Sequence, residues 1–234
     1  PHVALRVSYW LSTNPMKETL NEVVARLGRS IEQFPWEDQD SYVTWLAQTY
    51  YYVAHSTRLL AAAAARMPFS ALGNQLHHRC AAHMAEEKKH ELLAAHDLAA
   101  LGRRVEAFPE LPATRILYEP QYMKIEHVSP IALFGYILTL EAMSATHGPM
   151  NLERVVPAHG EHAAAFLTLH AREDQGHVAK ALASLASLDE SDCRIVLRNI
   201  EQTGVAYELM LSCAATPRIA ATRSYSAVRT AAVG

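Results

Sequence analysis

The segment His170-Ala171-Arg172-Glu173-Asp174-Gln175-Gly176-His177 places two imidazoles and a carboxylate at i, i+4 and i+7. On an α-helix that spacing gathers all three on one face. Imidazole nitrogen and carboxylate oxygen without thiolate form a ligand set for iron or manganese rather than for structural zinc. A second segment, Glu87-Lys88-Lys89-His90, repeats the carboxylate-x-x-imidazole step, and Glu141 stands alone in a long apolar run. Together Glu87, His90, Glu141, His170, Asp174 and His177 describe a two-metal centre with open coordination positions for dioxygen and a substrate.

Glu141 follows Ile131-Ala132-Leu133-Phe134-Gly135-Tyr136-Ile137-Leu138-Thr139-Leu140, which reads as a buried helix. A lone carboxylate there costs several kcal/mol unless it is protonated or met by a cation, and a metal ion is the economical partner. Glu87 and His90 taken alone also suit a solvated helix face; their pairing with Asp174-x-x-His177 is what favours ligation. Glu86 lies four residues before His90 and is the alternative first carboxylate. His83 shares a face with Glu87 and His90 at i, i+4 and i+7, as a second-shell or substitute ligand. His55 sits on a helix without carboxylates and suits a polar pocket role.

These residues need helices to hold them. Glycines are few, alternating β-branched runs are scarce, and Ala, Leu, Glu and Gln dominate long segments, so the class is all-α. A first helix is expected from Pro15 to about Phe34, a second from about Glu37 to Arg66, and a third, capped by Ser70, to about Leu101. A short helix near Ala113 to Tyr118 follows a proline-rich connection. Ser129-Pro130 opens an apolar helix that should end near Gly148-Pro149. Helices from about Gly160 to Ser187 and from Asp189 or Ser191 to about Cys213 complete one domain, 1–215, before a frayed tail, 216–234.

Half of the 234 residues are hydrophobic and the net charge is −3, enough for one sizeable core. Scattered Lys and Arg give no basic stripe, which argues against a nucleic-acid partner. Three cysteines without paired spacing fit a reducing, cytoplasmic setting, and no apolar run approaches the ~18 residues of a membrane span. A homodimer is the base-rate expectation.

Ferritin-like bundles use a Glu from each of two helices and Glu-x-x-His from two more. Here the segment from Ser41 to Arg66 contains no Asp or Glu, so one carboxylate is missing and His170 stands in its place. In the order Glu87, His90, Glu141, His170, Asp174, His177, the chain from about Glu37 to Ser187 resembles the heme-oxygenase-like di-metal oxidases. Their fold is shared with TenA-type thiaminases and the cofactorless PqqC oxidase. The His-x-x-x-Asp-x-x-His triplet is the specific part of the resemblance. In the p-aminobenzoate-forming branch the first carboxylate lies seven residues before the His, where this chain has His83; the fatty-acid-decarboxylating branch is nearer in spacing.

The resemblance implies a bundle of about seven helices around two Fe(II) ions, with manganese as the alternative and dioxygen as cosubstrate. Glu87, His90 and His170 would hold one ion, and Glu141, Asp174 and His177 the other. It also implies an oxidase or oxygenase of a small molecule. An amino acid or aromatic amino acid derivative in specialised metabolism is the favoured substrate, with a fatty acid or a ferritin-like iron-binding role as alternatives. Tyr51, Tyr52, Phe134, Met143 and Phe166 are expected to line the pocket. An amino-acid carboxylate would need a cation, for which Lys88, Lys124, Arg58 and Arg172 are available.

Overall fold

In a computed structural model, which describes residues 15–215 apart from the side chain of Gln175, the longest helical element carries the buried carboxylate. The expected tail at 216–234 falls outside the described residues. The α-helices are α1 (Pro15–Gln33), α2 (Gln39–Val53), α3 (Ser56–Arg66), α4 (Ala71–Glu86), α5 (Glu91–Ala100), α6 (Pro112–His127), α7 (Leu133–His159), α8 (Ala165–Ser184) and α9 (Glu190–Ala215). Among the described residues, taking α2–α3 and α4–α5 as two interrupted rods gives seven rods, all-α as expected. Among the described residues no helix is long and apolar enough to cross a membrane.

α2 is buried on nearly every side, from Ser41 through Thr49. A helix in that position has no solvent face for charge, which explains the carboxylate-free stretch in the sequence. Its buried amide, Gln48, accepts hydrogen bonds from Leu111 N–H and the Thr114 hydroxyl and donates to Pro109 O. Asp38 caps the start of α2 and Ser70 that of α4, each accepting a backbone N–H three residues on.

α7 and α8 run antiparallel at the centre. Gly148 makes this approach feasible, since a Cβ there would lie 2.8 Å from that of Ala171. At Gly135 a Cβ would sit 2.4 Å from Val196 O, so α9 is seated equally close on the other side. α1 lies against α9 and α7, with Ser30 donating to Glu208 and His147 contacting Val24 O at 3.1 Å.

Several boundaries differ from expectation. The second helix is interrupted at Ala54 and His55, and the third at residues 87–90, where Lys89 adopts φ 70°. The Glu87-x-x-His90 step is therefore a break, with Glu87 closing α4 and His90 opening α5, rather than part of one continuous helix. The short helix near Ala113 runs on to His127. α7 continues through Pro149 and Pro157 and stops only at Gly160, φ 89°. A proline removes one intrahelical bond, and packing of α7 along α8 outweighs that loss.

The start of α8 lacks a cap from its own sequence. Asp97, on α5 and fully buried, supplies it, accepting Ala165 N–H at 3.1 Å and Phe166 N–H at 2.9 Å. This carboxylate anchors the helix that bears His170, Asp174 and His177. Asp97→Ala should destabilise the fold by about 1–2 kcal/mol in urea unfolding, with Asp97→Asn losing less; an unchanged midpoint for Asp97→Ala would refute the anchoring role.

Candidate metal centre

Two groups of ligating atoms form where α4, the 87–90 break, α7 and α8 meet. His83, Glu141 and His177 each offer an atom within 4.8 Å of the others, and so do Glu87, His90 and His170. The imidazole pairs face each other, with ring centroids 5.3 Å apart for His83 and His177 and 5.0 Å for His90 and His170. Glu87 stands between the groups, 3.5 Å from His83 Nε2 and 3.6 Å from His90 Nδ1.

The structure thus brings all six sequence candidates into one region, keeps Glu87, His90 and His170 together, and adds His83 to the group of Glu141 and His177. His83, expected only as a substitute, takes a place beside Glu141, 3.2 Å from it. Asp174 lies next to that group, with Oδ1 3.6 Å from His177 Nδ1. The reason is reach: His83 projects from the last turn of α4 directly toward α7. Glu86, the alternative to Glu87, points outward to Arg79 and Lys180 and stays 3.6 Å from His177 Nε2.

His55 belongs elsewhere. Its ring stacks on Tyr118 at 3.8 Å and its Nδ1 meets the Tyr122 hydroxyl at 2.8 Å, away from both groups. Tyr51 also leaves the expected pocket, because its hydroxyl donates to Phe108 O. Phe134 is buried in the core and does not line the cavity. Tyr52, Met143 and Phe166 do line it. Tyr136, a large side chain of the same apolar run and a pocket candidate on that ground, lines the cavity as well.

Glu141 is 7% exposed, and neither of its oxygens has a hydrogen-bond partner. His177 Nδ1 and His90 Nδ1 are likewise unpartnered, since their carboxylate contacts, at 3.4–3.6 Å, are too long or too poorly aligned for hydrogen bonds. Unmet polar atoms at this depth cost several kcal/mol together. A cation at each group would satisfy them, and donors of two imidazoles and one carboxylate suit iron. His170 Nδ1 is held by Phe166 O at 2.9 Å, which puts the proton on Nδ1 and frees Nε2 as a ligand.

Electrostatics set the carboxylates apart. Burial pushes the Glu141 carboxyl above its usual range despite His177 and His83 nearby. Burial acts the same way on Glu87, but His83 and His90 together outweigh it and hold that carboxyl well below the usual range. The Glu87 carboxylate in turn raises His90. Asp174 and Glu141 lift the His177 imidazole from 6.5 to about 10, with burial opposing.

A cavity of about 90 Å³ adjoins both groups. Its walls are mainly apolar, including Trp45, Leu60, Ile137 and Phe166, and no Lys or Arg is among the lining residues. The four cations considered for a substrate carboxylate lie elsewhere: Lys124 donates to Asn199, Arg58 to Ala54 O and Arg172 to Glu173, and Lys88 is exposed.

The raised His177 has a stability consequence. Its folded value exceeds its unfolded one, so protonation stabilises the metal-free fold fully below about pH 6.5, and this contribution is lost as pH rises toward about 10. The urea midpoint of metal-free protein should fall over that window, and His177→Gln should flatten the fall. Metal loading should release protons at neutral pH, measurable with an indicator dye; no release would contradict ligation by His177.

Residues 43–203 match a family described as iron-containing redox enzymes. No curated protein matches the chain. Among solved structures, a domain of unknown function with a heme oxygenase-like fold from Shewanella denitrificans aligns with a TM-score of 0.74 at 22% identity, covering 83% of this chain and 90% of that one. A TenA homolog from Pseudomonas syringae pv. tomato aligns with a TM-score of 0.73 at 12% identity, covering 86% and 91%. At these identities the likeness establishes a heme-oxygenase-like fold.

Proposed function

Because the chain belongs to the family of iron-containing redox enzymes, we propose that it is a nonheme di-iron oxidase or oxygenase that uses dioxygen to oxidise a small metabolite. The observation that carries this reading is the pair of facing groups, His83/Glu141/His177 and Glu87/His90/His170, with unpartnered buried atoms beside an apolar cavity. His83, Glu141 and His177, with Asp174 alongside, would hold one ion, and Glu87, His90 and His170 the other. Bound ferrous ions would supply electrons to dioxygen and so generate the oxidant.

The chain's own residues do the rest. Asp97 fixes α8 and with it three of the donors. Phe166 O fixes the ring of His170. Leu60, Ile137 and Phe166 exclude water from the space where substrate would sit, which strengthens every charge interaction there. Glu87, Glu141 and Asp174 offset most of the charge of two divalent ions and leave the site positive. That residual charge replaces the missing lysine or arginine as an anchor for an anionic group. The substrate class that fits is a carboxylic acid with an apolar body, aromatic amino acid derivatives and fatty acids among them.

The test is anaerobic titration with ferrous iron followed by dioxygen, with and without a panel of such acids. Two ions per chain, and iron oxidation accelerated by one class of acid, are the expected results. His83→Ala and His90→Ala should each reduce the count from two ions to one. A wild-type chain that binds no iron would overturn the reading, and two ions retained by both variants would overturn the division of ligands.

A further inference from the structure

His55, displaced from the centre, joins a second constellation. Tyr122 places its hydroxyl 2.8 Å from His55 Nδ1, and the His55 ring stacks on Tyr118 at 3.8 Å with 15° between planes. Tyr118 donates its hydroxyl hydrogen to Glu110 Oε1 at 2.7 Å, and Glu110 in turn accepts from the exposed Arg115. Tyr118 therefore has a carboxylate as its proton acceptor, and Tyr122 has the imidazole in the neutral tautomer that carries its proton on Nε2. Burial and the nearby Arg58 lower the His55 imidazole, which keeps it neutral and able to accept. Toward the interior, Tyr136 lines the cavity with Glu87, and burial, with Glu87 and Tyr122 nearby, raises its hydroxyl, which is unpartnered in the protein.

A phenol is hard to oxidise unless its proton leaves with the electron, so a hydrogen-bonded base is what separates a redox-active tyrosine from an inert one. The molecule supplies its own comparison. Tyr51 gives its hydroxyl hydrogen to the backbone oxygen of Phe108, which cannot take up a proton.

We propose that Tyr122 and Tyr118, bridged by His55, form a relay that carries oxidising equivalents between the centre and the protein surface. The relay rests on the proposed oxidase reading for its oxidant, a dioxygen-derived species at the centre. That oxidant removes one electron from Tyr122 while the phenolic proton passes to His55 Nδ1, leaving a neutral phenoxyl and an imidazolium. Tyr118 then gives an electron to Tyr122. The proton returns from His55 to the Tyr122 oxygen, and the Tyr118 proton moves to Glu110. A soluble one-electron donor of the enediol class, such as ascorbate, restores Tyr118 from the surface beside Arg115 and is itself oxidised to its radical, while Tyr118 recovers its proton from Glu110. The relay thus discharges oxidant left over when no substrate is present, sparing the ligands.

The experiment uses the full chain in two arms. In the first, without iron, a flash-quenched ruthenium photosensitiser acts as oxidant and electron paramagnetic resonance reads neutral tyrosyl radical. Wild type should give the signal, Tyr122→Phe should lose most of it, and Tyr51→Phe should leave it unchanged. Tyr118→Phe should prolong the lifetime of the Tyr122 radical. In the second, ferrous-loaded protein is mixed with dioxygen in the absence of substrate, and the same Tyr122-dependent radical is expected. A signal insensitive to Tyr122→Phe, or a signal in the first arm with none in the second, overturns the relay. Failure to bind iron sinks the reading of the centre instead, and the first arm then still decides whether Tyr122 and Tyr118 are redox-active.

Discussion

The structure turns on a carboxylate buried where the protein offers it no hydrogen bond. Glu141 sits within the long apolar helix α7, and its two oxygens receive no hydrogen bond. Burying such a group is tolerable only if it is neutral or compensated. The surrounding elements bring compensating groups to it from opposite directions: His83 from the end of α4 and His177 from α8. Glu87 repeats the problem one helical turn away along α4, and His90 and His170 meet it. Close packing at Gly148 and capping by Asp97 are what hold α8 near enough for both encounters.

The break at residues 87–90 serves the same end. α4 packs along α3, whereas α5 packs along α2 and α8, and a single straight helix could not do both. Turning the chain at Lys89 places a non-glycine residue at φ 70°, a conformation costing on the order of 1 kcal/mol. In return α5 is aimed so that His90 faces His170 and Asp97 reaches the first turn of α8. Backbone strain therefore sits between two of the donors, where both groups depend on it.

Much of this was legible in residue types and spacing. The 3.6-residue periodicity, capping by Ser70 and the Ser129-Pro130 start are local signals, and they located the helices. His170, Asp174 and His177 share a helix, so their convergence could be read directly, and a buried Glu141 demanded a partner wherever it lay. Illegible features were those decided between elements. Pro149 reads as a stop, yet packing of α7 on α8 carries the helix past it to Gly160. The turn at Lys89 has no glycine to announce it. The arrival of His83 beside Glu141 depends on how far α4 lies from α7, which spacing along one helix does not encode. Asp97 caps a helix 68 residues later, beyond the reach of any capping pattern. The pocket choices Tyr51 and Phe134 failed because large size marks a residue for burial without saying which side of its helix faces a cavity.

The state of His83 links the metal-free protein to the loaded one. A guanidinium only donates, so the 2.8 Å contact from Arg79 makes His83 Nδ1 an acceptor and, in the neutral ring, puts the proton on Nε2. That proton faces Glu141 and Glu87, where it offsets their charge in the absence of a cation. Ligation through Nε2 requires the opposite tautomer, and Nδ1–H cannot coexist with the Arg79 contact. A metal ion held by Nε2 would therefore have to displace both that proton and the Arg79 contact, while Arg79 would keep its second partner, Glu86, at 3.3 Å.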